Sequence, residues 1–207
     1  MIDRGADWLR LPRRLRPNAI VLTHAHSDHA GGLADGSACP VFATDETFAL
    51  LSRYPIADQR VIIERKPFNI GGLRFEAFAV EHSIRAPAVG FRVSAGGASF
   101  FYAPDLAAIR ERRAALTGVT LYVGDGATML RPMVRRRGPR LIGHSSIRAQ
   151  LDWCRSQRVK RAIFTHCGTG IVGSDGRTVN AIVRRLGRER GVDAGLAHDG
   201  MTVILPG

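Results

Sequence analysis

Short apolar runs, separated by polar or glycine-containing turns, recur along the chain and alternate with segments in which apolar residues return at helical spacing. Continuous or alternating apolar runs predict β-strands, whereas the longer period predicts helices with one buried face. The predicted strands cover residues 19–22, 40–43, 61–63, 73–80, 88–94, 98–102, 119–123, 162–165 and 201–205. The predicted helices cover residues 44–53, 106–116, 145–154 and 179–186.

The order of these elements favours a mixed α/β fold, with two sheets and helices on their outer faces. Gly96 and Gly97 separate two predicted strands, which is typical of a hairpin. The sequence shows no internal repeat, linker or low-complexity segment, and 207 residues suit one large domain. We therefore expect residues 1–207 to form a single domain.

The highest density of metal-binding side chains follows the first predicted strand. His24, His26, Asp28 and His29 lie within six residues, and a Gly-Gly pair comes soon after them. A buried strand that ends in such a turn places imidazoles and a carboxylate at one edge of a sheet, where they can converge on a cation. Imidazole nitrogen together with carboxylate oxygen suits Zn²⁺ and also admits Mn²⁺ or Fe²⁺.

The pattern His-x-His-x-Asp-His after a hydrophobic strand resembles the signature of the metallo-β-lactamase superfamily. The resemblance implies an α/β sandwich of four layers, αββα. In that superfamily a strand ending in Ile-Asp-x-Gly usually precedes the motif, after one or more earlier strands. Residues 1–5 resemble the end of that strand, so we expect the chain to lack the first N-terminal strands of the fold. A sheet edge exposed in this way would favour association, and we expect a homodimer.

Three later residues, each at the end of a predicted strand or just before one, match the remaining ligand positions of that superfamily. They are His82, Asp105 and His198. The resemblance implies two divalent metal ions, with Zn²⁺ as the first choice and Mn²⁺ or Fe²⁺ as alternatives. It gives the first ion His24, His26 and His82, gives the second ion Asp28, His29 and His198, and places Asp105 between the two ions.

Within the superfamily, the chain best resembles the branch of ribonuclease Z and the phosphonate-pathway cyclic phosphodiesterases. Residues 197–201, Ala-His-Asp-Gly-Met, resemble the last-ligand motif of that branch. Residues 163–166, Ile-Phe-Thr-His, resemble the strand that delivers an additional histidine, which acts there as a general acid on the leaving group. We therefore expect His166 to be the general acid and, with Asp28, a catalytic residue. A competing assignment makes His166 the last ligand and leaves His198 outside the site.

The chain carries a formal net charge of +12, and nearly all of its cations are arginines. Arginine matches the geometry of phosphate oxygens, and a basic surface attracts nucleic acid or other phosphodiesters. The excess is spread along the chain, so a generally basic surface explains most of it equally well. The exception is a predicted loop with Arg135, Arg136, Arg137 and Arg140. We expect the first three, together with His144, to bind substrate.

Two further polar residues each have two interpretations. His144 precedes a predicted helix, so it can assist at the mouth of the site or bond to the helix backbone. Asp125 ends a buried strand, so it can orient a ligand histidine or simply occupy the turn before Gly126.

The composition disfavours membrane and secreted proteins. No apolar run approaches the roughly 20 residues that a membrane span needs, and the first residues contain no apolar signal region. Cys39, Cys154 and Cys167 are widely spaced and odd in number, which argues against a disulfide framework and fits a reducing compartment. We therefore expect a cytoplasmic protein with no membrane partner.

Together these features predict a dinuclear metal-dependent hydrolase, and we expect a phosphodiesterase that uses a metal-bound hydroxide as its nucleophile. The substrate should be a phosphodiester or another small anion, since no insertion is long enough for the tRNA-binding arm of ribonuclease Z. Nucleic acid is a further candidate partner. A hydrolase of carboxylic esters, thioesters or lactones with the same metals is the alternative. A non-catalytic nucleic-acid-binding module is a third interpretation, disfavoured because such a protein does not need every ligand.

Overall fold

Two β-sheets packed face to face form the centre of the computed structural model, which describes residues 1–9 and 16–205. The strands are β1 (Ile20–Val21), β2 (Val41–Ala43), β3 (Gln59–Val61), β4 (Phe68–Ile70), β5 (Leu73–Glu81), β6 (Ala88–Ala95), β7 (Ala98–Tyr102), β8 (Ala108–Ile109), β9 (Leu121–Asp125), β10 (Met133–Arg137), β11 (Arg140–His144), β12 (Arg161–Thr165) and β13 (Asp193–Leu196). The helices are α1 (Ser27–Ala30), α2 (Asp45–Leu50), α3 (Arg112–Leu116), α4 (Ile147–Ser156), α5 (Thr169–Val172) and α6 (Gly176–Arg188), with 3₁₀ turns at Ala6–Leu9 and Gly31–Leu33. No helix in the described part of the chain has the length and apolar character needed to cross a membrane.

The two sheets differ in size and strand direction. The small sheet contains β1, β2 and β3, all parallel, and Ile2 adds a single parallel bridge to Val21. The large sheet has eight strands, in the order β13-β12-β9-β7-β6-β5-β4 with β8 beside β5. Its strands β4 to β7 are antiparallel, whereas β7, β9, β12 and β13 are parallel. Strands β10 and β11 form a separate antiparallel hairpin.

Three clusters of buried apolar side chains lie between the layers. Val21 and Phe42 of the small sheet pack with Phe75 and Phe91 of the large sheet, between the two sheets. The opposite face of the small sheet packs against α2, including Phe48. The opposite face of the large sheet packs against α4 and α6. The expected four-layer αββα sandwich is therefore confirmed, and each large apolar side chain buried in it contributes roughly 1.5–3 kcal/mol.

Most predicted elements are present, with boundaries shifted by up to three residues. Thr44 caps α2 by accepting a hydrogen bond from the backbone N–H of Thr47. Ser146 caps α4 in the same way, through the N–H of Ala149. Both caps satisfy a backbone donor that a helix start leaves without an intrahelical partner.

Two predicted elements differ from the structure. Residues 106–116 contain β8 and the short helix α3 rather than one helix, because the N–H of Ala107 bonds to the carbonyl of Glu81 in β5. Residues 201–205 form no strand, and β13 is instead the last strand of the large sheet. The sequence of β13, Asp-Ala-Gly-Leu, has weak β propensity, so its pairing with β12 decides its conformation.

The arginine-rich segment also differs, because it lies in a hairpin and not in the predicted loop. Arg135, Arg136 and Arg137 belong to β10, and Arg140 begins β11. The turn between them contains Gly138, whose φ is +58°, followed by a proline. A glycine with positive φ at the first central position is typical of a two-residue type II′ hairpin turn.

Candidate metal centre

The carboxyl ends of several strands meet at one edge of the sandwich, and polar side chains follow directly after them. These side chains are His24 and His26 after β1, Asp28 and His29 in α1, His82 after β5, Asp105 after β7 and His166 after β12. Their ligand atoms form two groups, each with all atoms within 4.8 Å of one another, and a third group of this kind joins Asp105 and His166 to Asp125 and His144. The first ligand group contains His24, His26, His82 and Asp105, and the second ligand group contains Asp28, His29, Asp105 and His166.

In the first ligand group, three imidazole nitrogens and one carboxylate oxygen converge. Nδ1 of His26 lies 2.9 Å from Nε2 of His24 and 3.3 Å from Nε2 of His82. Oδ2 of Asp105 lies 3.5 Å from Nε2 of His24 and 3.8 Å from Nε2 of His82. Ligand atoms at about 2.0–2.1 Å from a tetrahedral Zn²⁺ are about 3.3–3.4 Å apart, so these separations fit one four-coordinate ion.

The second ligand group shares Asp105 with the first. Nε2 of His29 lies 2.8 Å from Oδ2 of Asp105 and 3.4 Å from Oδ2 of Asp28. Nε2 of His166 lies 3.1 Å from Oδ2 of Asp28, and Nδ1 of His166 lies 3.0 Å from Oδ1 of Asp105. Because the carboxylate of Asp105 is common to both groups, it is placed to bridge two cations.

Unpaired buried atoms show that these residues fit a metal better than they fit one another. Nε2 of His29, Oδ1 of Asp105 and Nδ1 of His166 are buried and have no hydrogen-bond partner among the described residues. Nε2 of His29 lies 2.8 Å from Oδ2 of Asp105, and Nδ1 of His166 lies 3.0 Å from Oδ1 of Asp105. Neither pair is aligned as hydrogen-bond donor and acceptor. A buried polar atom without a partner is costly, and a divalent cation between these atoms would satisfy all three.

Contacts outside the two groups fix the tautomers of the histidines. Nδ1 of His29 lies 2.9 Å from Oδ2 of Asp3, and Nδ1 of His24 lies 3.0 Å from Oγ1 of Thr23. The Thr23 hydroxyl donates to the same Asp3 carboxylate. Nδ1 of His82 faces the backbone carbonyl of Gly143 at 3.3 Å. With the proton on Nδ1, each of these rings keeps the Nε2 lone pair free for a cation.

Asp3 is a functional residue that the sequence analysis missed. Its carboxylate accepts hydrogen bonds from the backbone N–H and the hydroxyl of Thr23 and contacts the ring of His29. Its φ is +56°, a left-handed conformation that non-glycine residues adopt infrequently. The signal was present as Ile-Asp-x-Gly at the start of the chain, but the aspartate was considered only as the end of a strand.

Ionisation of the histidines depends strongly on the neighbouring carboxylates. Burial opposes protonation of His29, but Asp105, Asp28 and Asp3 outweigh it and raise its pKa to about 12. Contacts with Asp105 and Asp28 raise the pKa of His166 to about 10. Burial lowers the pKa of His24 to about 2. In the absence of a cation, protons on His29 and His166 therefore balance the carboxylates, and a metal ion must compete with them.

His144 lies beside both groups and is held by Asp125. Nδ1 of His144 is 2.8 Å from Oδ2 of Asp125 and 3.3 Å from Oδ1 of Asp105. Asp125 is fully buried and also accepts from the N–H groups of Leu106 and Ala127. The hydrogen bond to Asp125 raises the pKa of His144, whose ring is 23% exposed. Of the two interpretations of Asp125, these contacts favour an orienting role, and the ring that it orients is that of His144.

His198 does not join either ligand group. Its side chain is exposed, and its Nδ1 contacts only the neighbouring carbonyl of Asp199 at 3.0 Å. The physical reason is local: β12 ends at Thr165, and a φ of +52° at His166 turns that ring into the site. The structure thus places His166 where the sequence analysis placed His198, in agreement with the competing assignment.

The three arginines expected at the substrate site lie on the hairpin of β10 and β11. Arg135, Arg136 and Arg137 are exposed on β10. The hairpin that carries them ends at His144, so it connects them to the site through the backbone.

Comparison with known proteins identifies the family and the fold. Residues 2–167 match the Beta-lactamase superfamily domain. No curated protein matches the sequence.

Several solved structures share the fold. The metallo-beta-lactamase fold protein YhfI from Bacillus subtilis superposes with a TM-score of 0.72 at 14% identity, covering 97% of this chain and 84% of that one. A diphosphatase from the PhnP family has a TM-score of 0.68 at 22% identity, covering 99% and 79%. The short form of human tRNase Z has a TM-score of 0.63 at 16% identity, covering 99% and 87%. At these identities the similarity is one of fold.

Proposed function

The chain belongs to the Beta-lactamase superfamily, and from this premise we propose that it is a hydrolase that uses two divalent metal ions to cleave phosphodiesters. It has the metallo-β-lactamase fold and a cluster of histidines and aspartates suited to divalent metals. The observation that carries the proposal is the pair of ligand groups that share Asp105, with the His144–Asp125 pair beside them.

Each ligand group has a defined set of side chains. His24, His26 and His82 would hold one ion, with Asp105 between the two ions. Asp28 and His29 would hold the other ion, and here we assign the last position to His166 instead of His198. Ions bound there would supply a water of lowered pKa as nucleophile and positive charge for the phosphoryl oxygens. The ions would be Zn²⁺, with Mn²⁺ or Fe²⁺ as alternatives.

The proton for the leaving group comes, in this proposal, from His144. Both ring nitrogens of His166 face carboxylates, those of Asp28 and Asp105, so neither is directed towards a leaving group. His144 is different, because among the described residues only its Nδ1 has polar contacts, with Asp125 and Asp105. Its raised pKa keeps it protonated at higher pH than an ordinary histidine, and its ring is partly open to solvent. An alkoxide that leaves a phosphodiester needs such a donor.

Two further features support a phosphodiester over an acyl substrate. The arginine-rich hairpin β10–β11 ends at His144, which places positive charge next to the site. Two proteins of the same fold are named a diphosphatase and a tRNase, and both names refer to substrates that contain phosphate.

A substrate panel tests the proposal. The purified protein, supplied with Zn²⁺ or Mn²⁺, would be given bis(p-nitrophenyl) phosphate, a cyclic nucleotide, p-nitrophenyl acetate and a lactone. We expect hydrolysis of the diesters that a chelator abolishes and that Asp105→Asn lacks. Faster turnover of the acyl substrates, with no diester hydrolysis, would support the ester and lactone alternative. No turnover of any substrate by metal-loaded protein would support a binding module.

A further inference from the structure

The hairpin of β10 and β11 is a narrow ribbon whose two faces differ in chemistry. Its five cross-strand pairs are Met133 with His144, Val134 with Gly143, Arg135 with Ile142, Arg136 with Leu141, and Arg137 with Arg140. In an antiparallel ribbon, directly paired residues share a face, and successive pairs alternate between the two faces. One face therefore carries Met133, His144, Arg135, Ile142, Arg137 and Arg140, and the other carries Val134, Gly143, Arg136 and Leu141.

The first of these faces begins at the proposed site. Met133 is the residue paired with His144, whose Nδ1 lies 3.3 Å from Asp105. At about 3.4 Å per residue, Arg135 follows Met133 by about 7 Å and Arg137 by about 14 Å. Arg140 lies opposite Arg137. Arginines on this face thus continue outward from the site at regular spacing, while Arg136 lies on the reverse face.

Strand β11 of the ribbon is fixed along one edge to Glu81 and His82, at the end of β5. The N–H of Gly143 donates to the carbonyl of His82 at 2.8 Å, and the N–H of Leu141 donates to Glu81 at 2.6 Å. Gly143 has a φ of +104°, and a Cβ there would overlap the carbonyl oxygen of Met133. The direction of the ribbon relative to the site is therefore set by backbone contacts.

The arginines of the ribbon have no acidic partner. All four are exposed, and none forms a salt bridge within residues 1–9 and 16–205. The acidic residue that contacts the ribbon is Glu81, which accepts from the N–H of Leu141 beside Arg140, and its side chain is paired with Arg110. The guanidinium groups are thus available to an external anion.

We propose that this face, with Arg135, Arg137 and Arg140, is a binding arm for single-stranded nucleic acid. The proposal rests on the proposed phosphodiesterase function and gives its substrate class. A single strand presents a phosphate at each nucleotide, so a strand with one phosphate at the site has further phosphates along the arm. Met133 and Ile142 alternate with the arginines and offer apolar contact to unstacked bases. A single small diester cannot reach these residues.

Adjacent arginines on opposite faces provide a matched test. Binding of fluorescein-labelled oligothymidylate and oligouridylate to the full chain would be measured by anisotropy in a chelating buffer, where no turnover occurs. Arg137→Ala should weaken binding, whereas Arg136→Ala, with the same loss of charge, should not. The double variant Arg135→Ala with Arg137→Ala should bind on the order of tenfold more weakly. The salt slope, which is the slope of the logarithm of the binding constant against the logarithm of the salt concentration, should decrease in magnitude by about 0.7 per lost phosphate contact.

A charge-matched double variant is the control. Arg136→Ala with Arg155→Ala removes two exposed arginines away from this face and should retain the wild-type salt slope. Equal losses of affinity in the two double variants would show that the whole basic surface attracts the strand, and would overturn the proposal. Tighter binding of duplex DNA than of either single strand would also overturn it. Hydrolysis of bis(p-nitrophenyl) phosphate by the metal-loaded wild-type protein tests the proposed function separately. If wild-type protein lacks that hydrolysis, the proposed function fails, while the anisotropy comparison still decides the arm.

Discussion

At the scale of single residues, a small set of contacts behind the ligands controls the chemistry of the centre. The Asp3 carboxylate reaches His29 directly and reaches His24 through the hydroxyl of Thr23, so one buried acid influences a ligand in each group. Removal of a hydrogen-bond partner of this kind typically lowers metal affinity by 10- to 100-fold.

The two late histidines should respond differently to replacement. His166→Ala should lose the second ion and most activity, because Asp28, His29 and Asp105 alone leave that ion with too few ligands. His198→Ala should keep both ions and most activity, because His198 contacts neither group. Metal content by inductively coupled plasma mass spectrometry and diester turnover would be measured on both. Full metal occupancy in His166→Ala, with loss in His198→Ala, would restore the opposite assignment.

Replacement of His144 should affect proton donation and leave the metals in place. His144→Ala should slow hydrolysis of a diester with a poor leaving group by roughly 10²- to 10⁴-fold, and should spare p-nitrophenolate, which leaves without a proton. Equal slowing of both substrates would mean that His144 positions substrate and is not an acid.

The same assignment predicts a pH dependence. Because Asp125 raises the pKa of His144, turnover of the poor leaving group should fall as the pH rises through that raised pKa. In Asp125→Asn this fall should move to lower pH, since the cause of the raised pKa is gone. A pH profile of kcat, compared with wild type on the same substrate, would measure the shift.

At the scale of secondary-structure elements, glycines allow the N-terminal segment to lie against α1. A Cβ on Gly5 would overlap the backbone oxygen of Asp28, and a Cβ on Gly32 would come too close to the carbonyl of Gly5. The N–H of Arg4 bonds to the carbonyl of His29 in the same region. This close packing of backbones fixes α1, and with it two ligands of the second group.

A side chain at Gly5 should therefore disturb both stability and metal binding. Gly5→Ala should cost about 1–3 kcal/mol, because its contact is with backbone that cannot move aside easily, and should weaken the second ion more than the first. Gly170→Ala is the control, since its Cβ would meet no atom within 4 Å. Urea denaturation and metal titration would be compared. Equal stability of the two variants would contradict the proposed role of the contact.

Local patterns predicted the elements and the opening motif well, whereas long-range contacts decided the rest. Thr44 and the apolar spacing after it were sufficient for α2, and the ligands 24–29 lie within one short segment. The sequence pattern alone did not decide between His166 and His198, because the position of His166 depends on its left-handed backbone conformation at the end of β12. The hairpin at 133–144 was read as a loop because its arginines conceal the alternation of a strand.

At the scale of the whole molecule, the centre couples stability to metal and to pH. The metal-free folded state holds protons on His29 and His166, with pKa values of about 12 and 10, whereas an unfolded histidine titrates near 6.5. These raised values contribute stability that is complete below about pH 6.5 and is lost as the pH rises towards 10 and 12. Bound metal replaces these protons, so its own contribution does not decline in this way.

The gain in stability on metal addition should therefore increase with pH. At a free metal concentration of 100 Kd the gain is about 2.7 kcal/mol, and Kd itself should fall as protons compete less. Thermal unfolding with Zn²⁺ and with chelator would be compared at about pH 6.5 and about pH 8.5. In wild type and in His198→Ala, the difference in Tm between the Zn²⁺ and chelator samples should be larger at the higher pH. In His166→Ala this difference should depend less on pH. A difference that shrinks with pH would contradict this coupling.

The ligands also come from both halves of the sandwich. His24, His26, Asp28 and His29 follow a strand of the small sheet, whereas His82, Asp105 and His166 follow strands of the large sheet. Any sliding of one sheet past the other changes the distances between these two sets. Ions bound between the two sets would resist this sliding, because they would link side chains of one sheet to side chains of the other. Retention of metal under mechanical or chemical stress would therefore indicate that the two sheets keep their relative position.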